Sequence, residues 1–114
     1  MSVEIWHNPR CAKSRQTLAL IEDQGVTPNV RLYLKDTPSE EELNEVITAL
    51  GIPAYELIRH GEPAFREANL SKDDPDAKLV AAMVQFPKLI ERPVVRRGDK
   101  AVLGRPPENV LDLL

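Results

Sequence analysis

Near its start the chain sets two strand-like stretches on either side of a helical one, and near its end it sets two more back to back. That order limits what it can fold into more than any other feature. Val3 to His7 is a short apolar-leaning stretch, stopped at Asn8-Pro9 because Pro9 restricts the residue before it. From Ala12 the pattern is helical, with Leu18 and Ile21 on one face and Gly25 as the terminator. Val30, Leu32 and Leu34 then alternate with Arg31 and Tyr33, the period-two signature of a strand. After Pro93, Val94-Val95 and Ala101-Val102-Leu103 flank Arg96-Arg97-Gly98-Asp99-Lys100, which predicts a hairpin with a Gly-Asp turn. Pro106-Pro107 can open a final helix carrying Val110, Leu111 and Leu114.

The middle of the chain is helical. Ser39 followed by Glu42 is a capping box, in which each side chain satisfies a free backbone N–H of the first turn. Leu43, Val46, Ile47 and Leu50 recur at helical spacing, and Gly51 closes the helix. Residues 53–72 predict short helical pieces broken by Gly61 and Pro63. Asp74-Pro75 reads as an N-cap and first-turn pair before a stripe of Leu79, Val80, Met83 and Phe86. The order is β-α-β, a helical block, then β-β-α. That is an α/β chain with a mixed sheet and helices on its faces, the thioredoxin-like arrangement with a central helical insertion. Its 114 residues fit one domain, 1–114. An apolar share of 42% is enough for one core, and the scarcity of aromatics leaves that core mainly to Leu, Val and Ile.

Composition excludes several roles. A net charge of -3 with both signs interspersed argues against a general grip on nucleic acid, which needs a basic face. No run approaches the roughly 18 apolar residues of a membrane span. Met1 to Trp6 lack the basic start and apolar stretch of a signal peptide. A single cysteine allows no internal disulfide, so a reducing compartment, the cytosol, is the expected location.

That cysteine, Cys11, lies between a strand end and a helix start in His7-Asn8-Pro9-Arg10-Cys11-Ala12-Lys13-Ser14-Arg15. A helix N-terminus favours an anion. Arg10, Lys13 and Arg15 add positive charge nearby, and His7 can contribute a hydrogen bond or a charge. Such surroundings make a thiolate, the nucleophilic form of cysteine. A lone cysteine is more often a small buried hydrophobe, but these neighbours are polar and cationic. Ser14 stands where a C-x-x-C motif has its second cysteine, and Thr17 stands where a C-x5-R phosphatase loop has its arginine. What remains is a monothiol nucleophile that borrows electrons from an outside thiol. Arg59 follows Leu57-Ile58, Arg92 precedes Pro93, and Arg105 lies in Gly104-Arg105-Pro106-Pro107. Each taken alone reads as a solvated charge, whereas together they suit a tetrahedral oxyanion, which guanidinium groups bind through paired N–H donors. Arg96 and Arg97, at the hairpin turn, read as solvated. The Arg92-Pro93 bond, just before an inner strand, is a candidate cis peptide.

His7-Asn8-Pro9-Arg10-Cys11 with Ser14-Arg15, then Leu32-Tyr33-Leu34, Arg92-Pro93-Val94-Val95 and Gly104-Arg105-Pro106, resemble the glutaredoxin-coupled arsenate reductase family over nearly the full length. The chain ends soon after its last helix and carries Lys13 after the cysteine, which resembles a shorter branch of that family. The resemblance implies a thioredoxin-like fold in which cis-Pro93 lies beside the active cysteine. It implies that Cys11 attacks arsenate to form a covalent thioarsenate, that His7 favours the thiolate, and that Arg59, Arg92 and Arg105 hold the oxyanion. Glutathione would be the co-substrate and glutaredoxin the partner that completes the two-electron reduction to arsenite, with no bound cofactor or metal. Two other readings stand beside this one. The substrate can be another oxyanion or a glutathione adduct, or the chain can be a non-enzymatic Spx-type regulator that binds RNA polymerase. Spx-type regulators sense oxidants through a C-x-x-C pair, which Cys11 and Ser14 do not form.

Overall fold

A computed structural model describes residues 2–114; Met1, the first residue of the stretch read above for a signal peptide, lies outside the described residues. The elements run β1 (Val3–Trp6), α1 (Ala12–Asp23), β2 (Asn29–Arg31), α2 (Glu40–Leu50), α3 (Pro63–Glu67), α4 (Asp76–Gln85), β3 (Val94–Arg97) and β4 (Lys100–Leu103). Short 3-10 helices occupy Ala54–Leu57, Pro87–Leu89 and Pro107–Asp112. The sheet order is β2-β1-β3-β4, with β1 parallel to β2 and antiparallel to β3, and β3 and β4 forming the hairpin. This is the mixed thioredoxin-like sheet with its helical insertion between β2 and β3.

Both faces of the sheet are covered, which is why the central strands are apolar on both sides. Trp6 and Val94 face one core, built with Leu43, Val46, Leu79, Val80 and Met83 of the insertion. Val3, Ile5 and Val95 face the other, with Ile21 of α1 and Val110 and Leu113 of the last 3-10 helix. The capping box on α2 forms as its sequence predicts. The Glu42 N–H donates to Ser39 Oγ (3.1 Å), the Ser39 N–H donates to Glu42 Oε1 (3.1 Å), and Gly51 closes the helix in the left-handed conformation.

Three expectations need correction. The second strand stops at Arg31, because the Lys35 and Asp36 N–H groups both donate to the Leu32 carbonyl and turn the chain. The exposed side is the apolar one. Val30, Leu32 and Leu34 are 39–49% exposed along the sheet edge, while Tyr33 is fully buried. Arg31, opposite Trp6 in the β1–β2 register, stacks over the indole at 5.7 Å and pairs with Glu42 of α2. At α4 the helix begins one residue later than Asp74-Pro75 implies, with Pro75 at the cap position. The Asp74 carboxylate instead accepts from the Ser71 N–H and pairs with Lys78. The terminal helix is 3-10, not α, so its buried side falls at spacing three, on Pro107, Val110 and Leu113, and leaves Leu111 exposed.

The exit of β4 is held against the rest of the molecule by a very close approach at Gly104. Its N–H donates to the Pro93 carbonyl (2.9 Å), and the Thr17 hydroxyl lies 3.3 Å from its carbonyl. A Cβ at this position would stand 2.7 Å from Pro93 Cγ and 2.9 Å from Thr17 Cγ2, closer than real contacts allow. Gly104→Ala is therefore expected to lower stability by about 1–3 kcal/mol, the usual range for overpacking, read from the urea midpoint. The Arg31 guanidinium beside Glu42 holds that carboxyl down to about 2. Since the folded value is the lower one, the pair's stabilisation is complete above the ordinary value of 4.5 and fades as pH falls towards 2. Glu42→Gln keeps the capping box but loses the charge. Its melting temperature should lie below that of the wild type above about pH 5, with the gap closing towards pH 2; a gap independent of pH would exclude the ion pair.

Candidate active site

Cys11 is the N-cap residue of α1, in extended conformation, and only 9% exposed. The loop that delivers it is tied at every step. The Cys11 N–H donates to the Asn8 carbonyl (3.0 Å), and the Arg10 N–H donates to Asn8 Oδ1 (3.0 Å). The Arg15 guanidinium donates to the Pro9 carbonyl (2.8 Å), and Ser14 Oγ accepts from the Asn8 N–H (3.0 Å). Burial pushes the Cys11 thiol up, but the Ser14 and Lys13 backbone N–H groups and the Arg92 guanidinium outweigh it, and the net shift is downward. The helix N-terminus thus acts on the sulfur as expected, whereas the neighbouring cations do not: Arg10 and Lys13 extend into solvent and Arg15 is spent on Pro9.

His7 is buried and shares a 2.7 Å hydrogen bond between Nδ1 and Ser14 Oγ. Burial, with help from the Arg15 charge, holds the imidazole below its ordinary pKa, so it is neutral at pH 7. It therefore contributes a hydrogen bond and no charge. Ser14 links the two residues, since its hydroxyl bonds His7 while its N–H faces the Cys11 sulfur.

The arginines come from far along the chain. Arg105 Nη1 lies 4.0 Å from Cys11 Sγ and donates to the Arg92 carbonyl (3.3 Å). Arg92 itself faces the sulfur. The Arg92-Pro93 bond is cis as the sequence suggests, and Arg105-Pro106, which no sequence signal singled out, is cis as well. Arg59 is brought alongside by a single bridge between Ile58 and Ile90, flanked by hydrogen bonds from the Arg59 N–H to the Leu89 carbonyl (2.8 Å) and from the Glu91 N–H to the Leu57 carbonyl (2.7 Å). Its guanidinium is engaged by Glu62 (3.5 Å) and the Lys88 carbonyl (3.3 Å), and its charge acts on Tyr33. Arg97 is not solvated as expected, because it donates to the Leu113 carbonyl (3.1 Å) and anchors the last 3-10 helix.

Two residues of the site escaped the sequence. Glu91 pairs with both Arg92 (3.2 Å) and Arg105 (3.8 Å), and its only signal is its place before Arg92. Tyr33 is fully buried near Arg92, Asn8, Arg59 and Cys11. Its hydroxyl and Arg92 Nε are both buried without a hydrogen-bond partner. Among the described residues no three His, Cys, Asp or Glu side chains gather as metal ligands, and no helix is long and apolar enough to cross a membrane. This cluster can stabilise a thiolate and hold an anion beside it. Alkylation of Cys11 by iodoacetamide should show a pH midpoint below the free-thiol value of about 8.5. Arg92→Ala should raise that midpoint and Arg15→Ala should leave it in place. A wild-type midpoint at or above the free-thiol value would remove the activated nucleophile.

The ArsC family matches residues 6–113 of the chain. The arsenate reductase of Haemophilus influenzae is 45% identical over 116 residues, spanning the whole of both chains. An arsenate reductase of Escherichia coli is 40% identical over 114 residues, covering 99% of this chain and 81% of that one. Among solved structures, the arsenate reductase from Vibrio cholerae superposes with a TM-score of 0.96 at 48% identity, over 100% of this chain and 98% of that one. A match of this length, joined to that likeness of fold, makes the chain a member of the ArsC family.

Proposed function

We propose that the chain reduces arsenate to arsenite, with Cys11 as nucleophile and an external thiol as the source of electrons. The observation that carries this reading is the meeting of Cys11 with Arg92 and Arg105, the latter 94 residues away in sequence, at the N-terminus of α1. An anion is drawn to that field, and the sulfur it meets is biased towards the thiolate. The Cys11 thiolate attacks arsenic(V) and an oxygen leaves as water once protonated, giving a thioarsenate. Arg92 and Arg105 hold the charge on the remaining oxygens as the S–As bond forms. His7 keeps Ser14, and through it the thiol loop, in place.

Two electrons must then reach arsenic, and the only thiol of the chain is already bonded to it. Glutathione, attacking the adduct, is the co-substrate, and glutaredoxin is the partner that completes the reduction. In sum, one arsenate and two thiols yield one arsenite, one disulfide and one water. No bound cofactor takes part, and a reducing compartment, the cytosol, supplies the thiols. A Spx-type regulatory role has less support, since Ser14 is committed to His7 and the arginines converge on the sulfur.

NADPH consumption in the presence of arsenate, glutathione and glutaredoxin tests this directly, with Cys11→Ser as the inactive control. Removing one such electrostatic group commonly lowers the rate about 10²–10³-fold, so Arg92→Ala and Arg105→Ala should each lose activity on that scale with melting temperature preserved. Arg66, exposed on α3, is the proper control, because Arg97→Ala would also unfasten the terminal 3-10 helix. If Arg92→Ala and Arg105→Ala match Arg66→Ala, the anion site is wrong. Recovery of RNA polymerase on the protein, with no turnover of arsenate, would favour the regulator.

A further inference from the structure

Tyr33 has no part in the mechanism above, yet its surroundings are those of a working group. It is fully buried, and its hydroxyl finds no hydrogen-bond partner. Buried hydroxyls are nearly always bonded, because an unbonded one has given up water for nothing. A phenylalanine would fill the same space without that penalty. The chain places the ring here by design of the β2 exit. The His7 N–H donates to the Arg31 carbonyl (2.8 Å), so the end of β2 runs beside the loop that carries Cys11. The turn after Leu32 then directs Tyr33 inward while Leu32 and Leu34 stay outside.

The hydroxyl emerges among Arg92, Asn8, Arg59 and Cys11. Asn8 lies beside it and acts to lower the phenol's pKa, as a donor to its oxygen does, but it supplies no acceptor for the hydroxyl proton. Arg92, which faces the Cys11 sulfur, carries the other unpartnered buried donor, Nε. Two buried donors without acceptors, beside one thiol, describe half of a set of hydrogen bonds. A species rich in acceptor oxygens supplies the other half, and a tetrahedral oxyanion is such a species.

We infer that the Tyr33 hydroxyl is a further substrate-binding group, donating a hydrogen bond to an oxygen of the oxyanion that Arg92 and Arg105 hold at Cys11. The inference rests on the oxyanion reading of the site and adds a neutral donor to it. Burial keeps the phenol above its ordinary pKa despite Arg92, Asn8 and Arg59, so at neutral pH the proton is present to be donated. A neutral donor suits this position, because it bonds an oxygen without competing for Glu91, which already balances Arg92 and Arg105.

Tyr33→Phe removes the oxygen alone. A hydrogen bond to a charged acceptor is worth about 10–100-fold in binding, so the KM for arsenate should rise by roughly that factor with kcat much less affected. The inorganic phosphate concentration that half-protects Cys11 from iodoacetamide should rise in step. Alkylation without any anion should be unchanged, and the melting temperature should be equal or higher, since an unbonded polar atom has gone. An arsenate KM and a phosphate protection midpoint equal to wild type would overturn the inference while leaving the reductase reading intact. So would a clear fall in melting temperature, which would mark the hydroxyl as structural. A wild-type protein that turns over no arsenate, yet is protected by phosphate in a Tyr33-dependent way, would uphold the Tyr33 contact and sink the reductase. Absence of both turnover and protection in the wild type would overturn both.

Discussion

The functional end of this molecule depends on a contact in which a side chain is forbidden. Gly104 lies so close to Thr17 and Pro93 that any Cβ would collide with both. The three positions belong to α1, to the entry of β3 and to the exit of β4, and their approach sets how far Arg105 stands from Cys11. A looser junction would still give the same sheet and the same two cores. It would let Arg105 stand farther from the sulfur, since Thr17 of α1 and Pro93 meet the β4 exit at this glycine. Dense packing here does the work of orientation.

Charge in the site is balanced and not merely accumulated. Glu91 stands between Arg92 and Arg105 and restrains both, so the free protein does not confront two bare guanidinium groups. The sulfur is favoured as an anion by backbone N–H groups that cannot move away, and by Arg92. His7, held neutral, adds no charge for an incoming anion to displace. Glu62 similarly occupies Arg59. An oxyanion bound as proposed would compete with carboxylates for its partners, which would make binding an exchange of ion pairs.

Much of this was legible in the residue order, and the exceptions share a cause. The capping box at Ser39 and Glu42, the hairpin around Gly98-Asp99 and the helix start after Cys11 are local events, and each forms where its residues say. Cys11, Arg92 and Arg105, which the fold brings together at the start of α1, were singled out by residue type and by likeness to a family. The misreadings came where a distant partner decides. Arg10, Lys13 and Arg15 neighbour the thiol in sequence, but the guanidinium that lowers its pKa is that of Arg92, far along the chain, beside the backbone N–H groups of Ser14 and Lys13. Arg97 looks like a hairpin-tip charge until the last 3-10 helix arrives to accept its hydrogen bond. Tyr33 is hidden by its own neighbours, since an alternation of leucines suggests that they, and not the tyrosine, face inward. Asp74 has the chemistry of a cap and is claimed first by Ser71.

The apolar exposure at and after β2 has a consequence for how the chain behaves among other chains. β2 is an outer strand of the sheet, with Val30 exposed on it and Leu32 and Leu34 exposed in the turn that follows. A long apolar border with free backbone groups is a template on which other strands assemble. Here the strand is only three residues long, and the turn at Leu32 bends the chain away before a ladder can extend. Brevity protects a border that composition leaves unguarded. An insertion that let β2 continue straight through Leu34 would lengthen that border by the very residues that make it adhesive, and would give the chain a route to aggregation that its present turn denies.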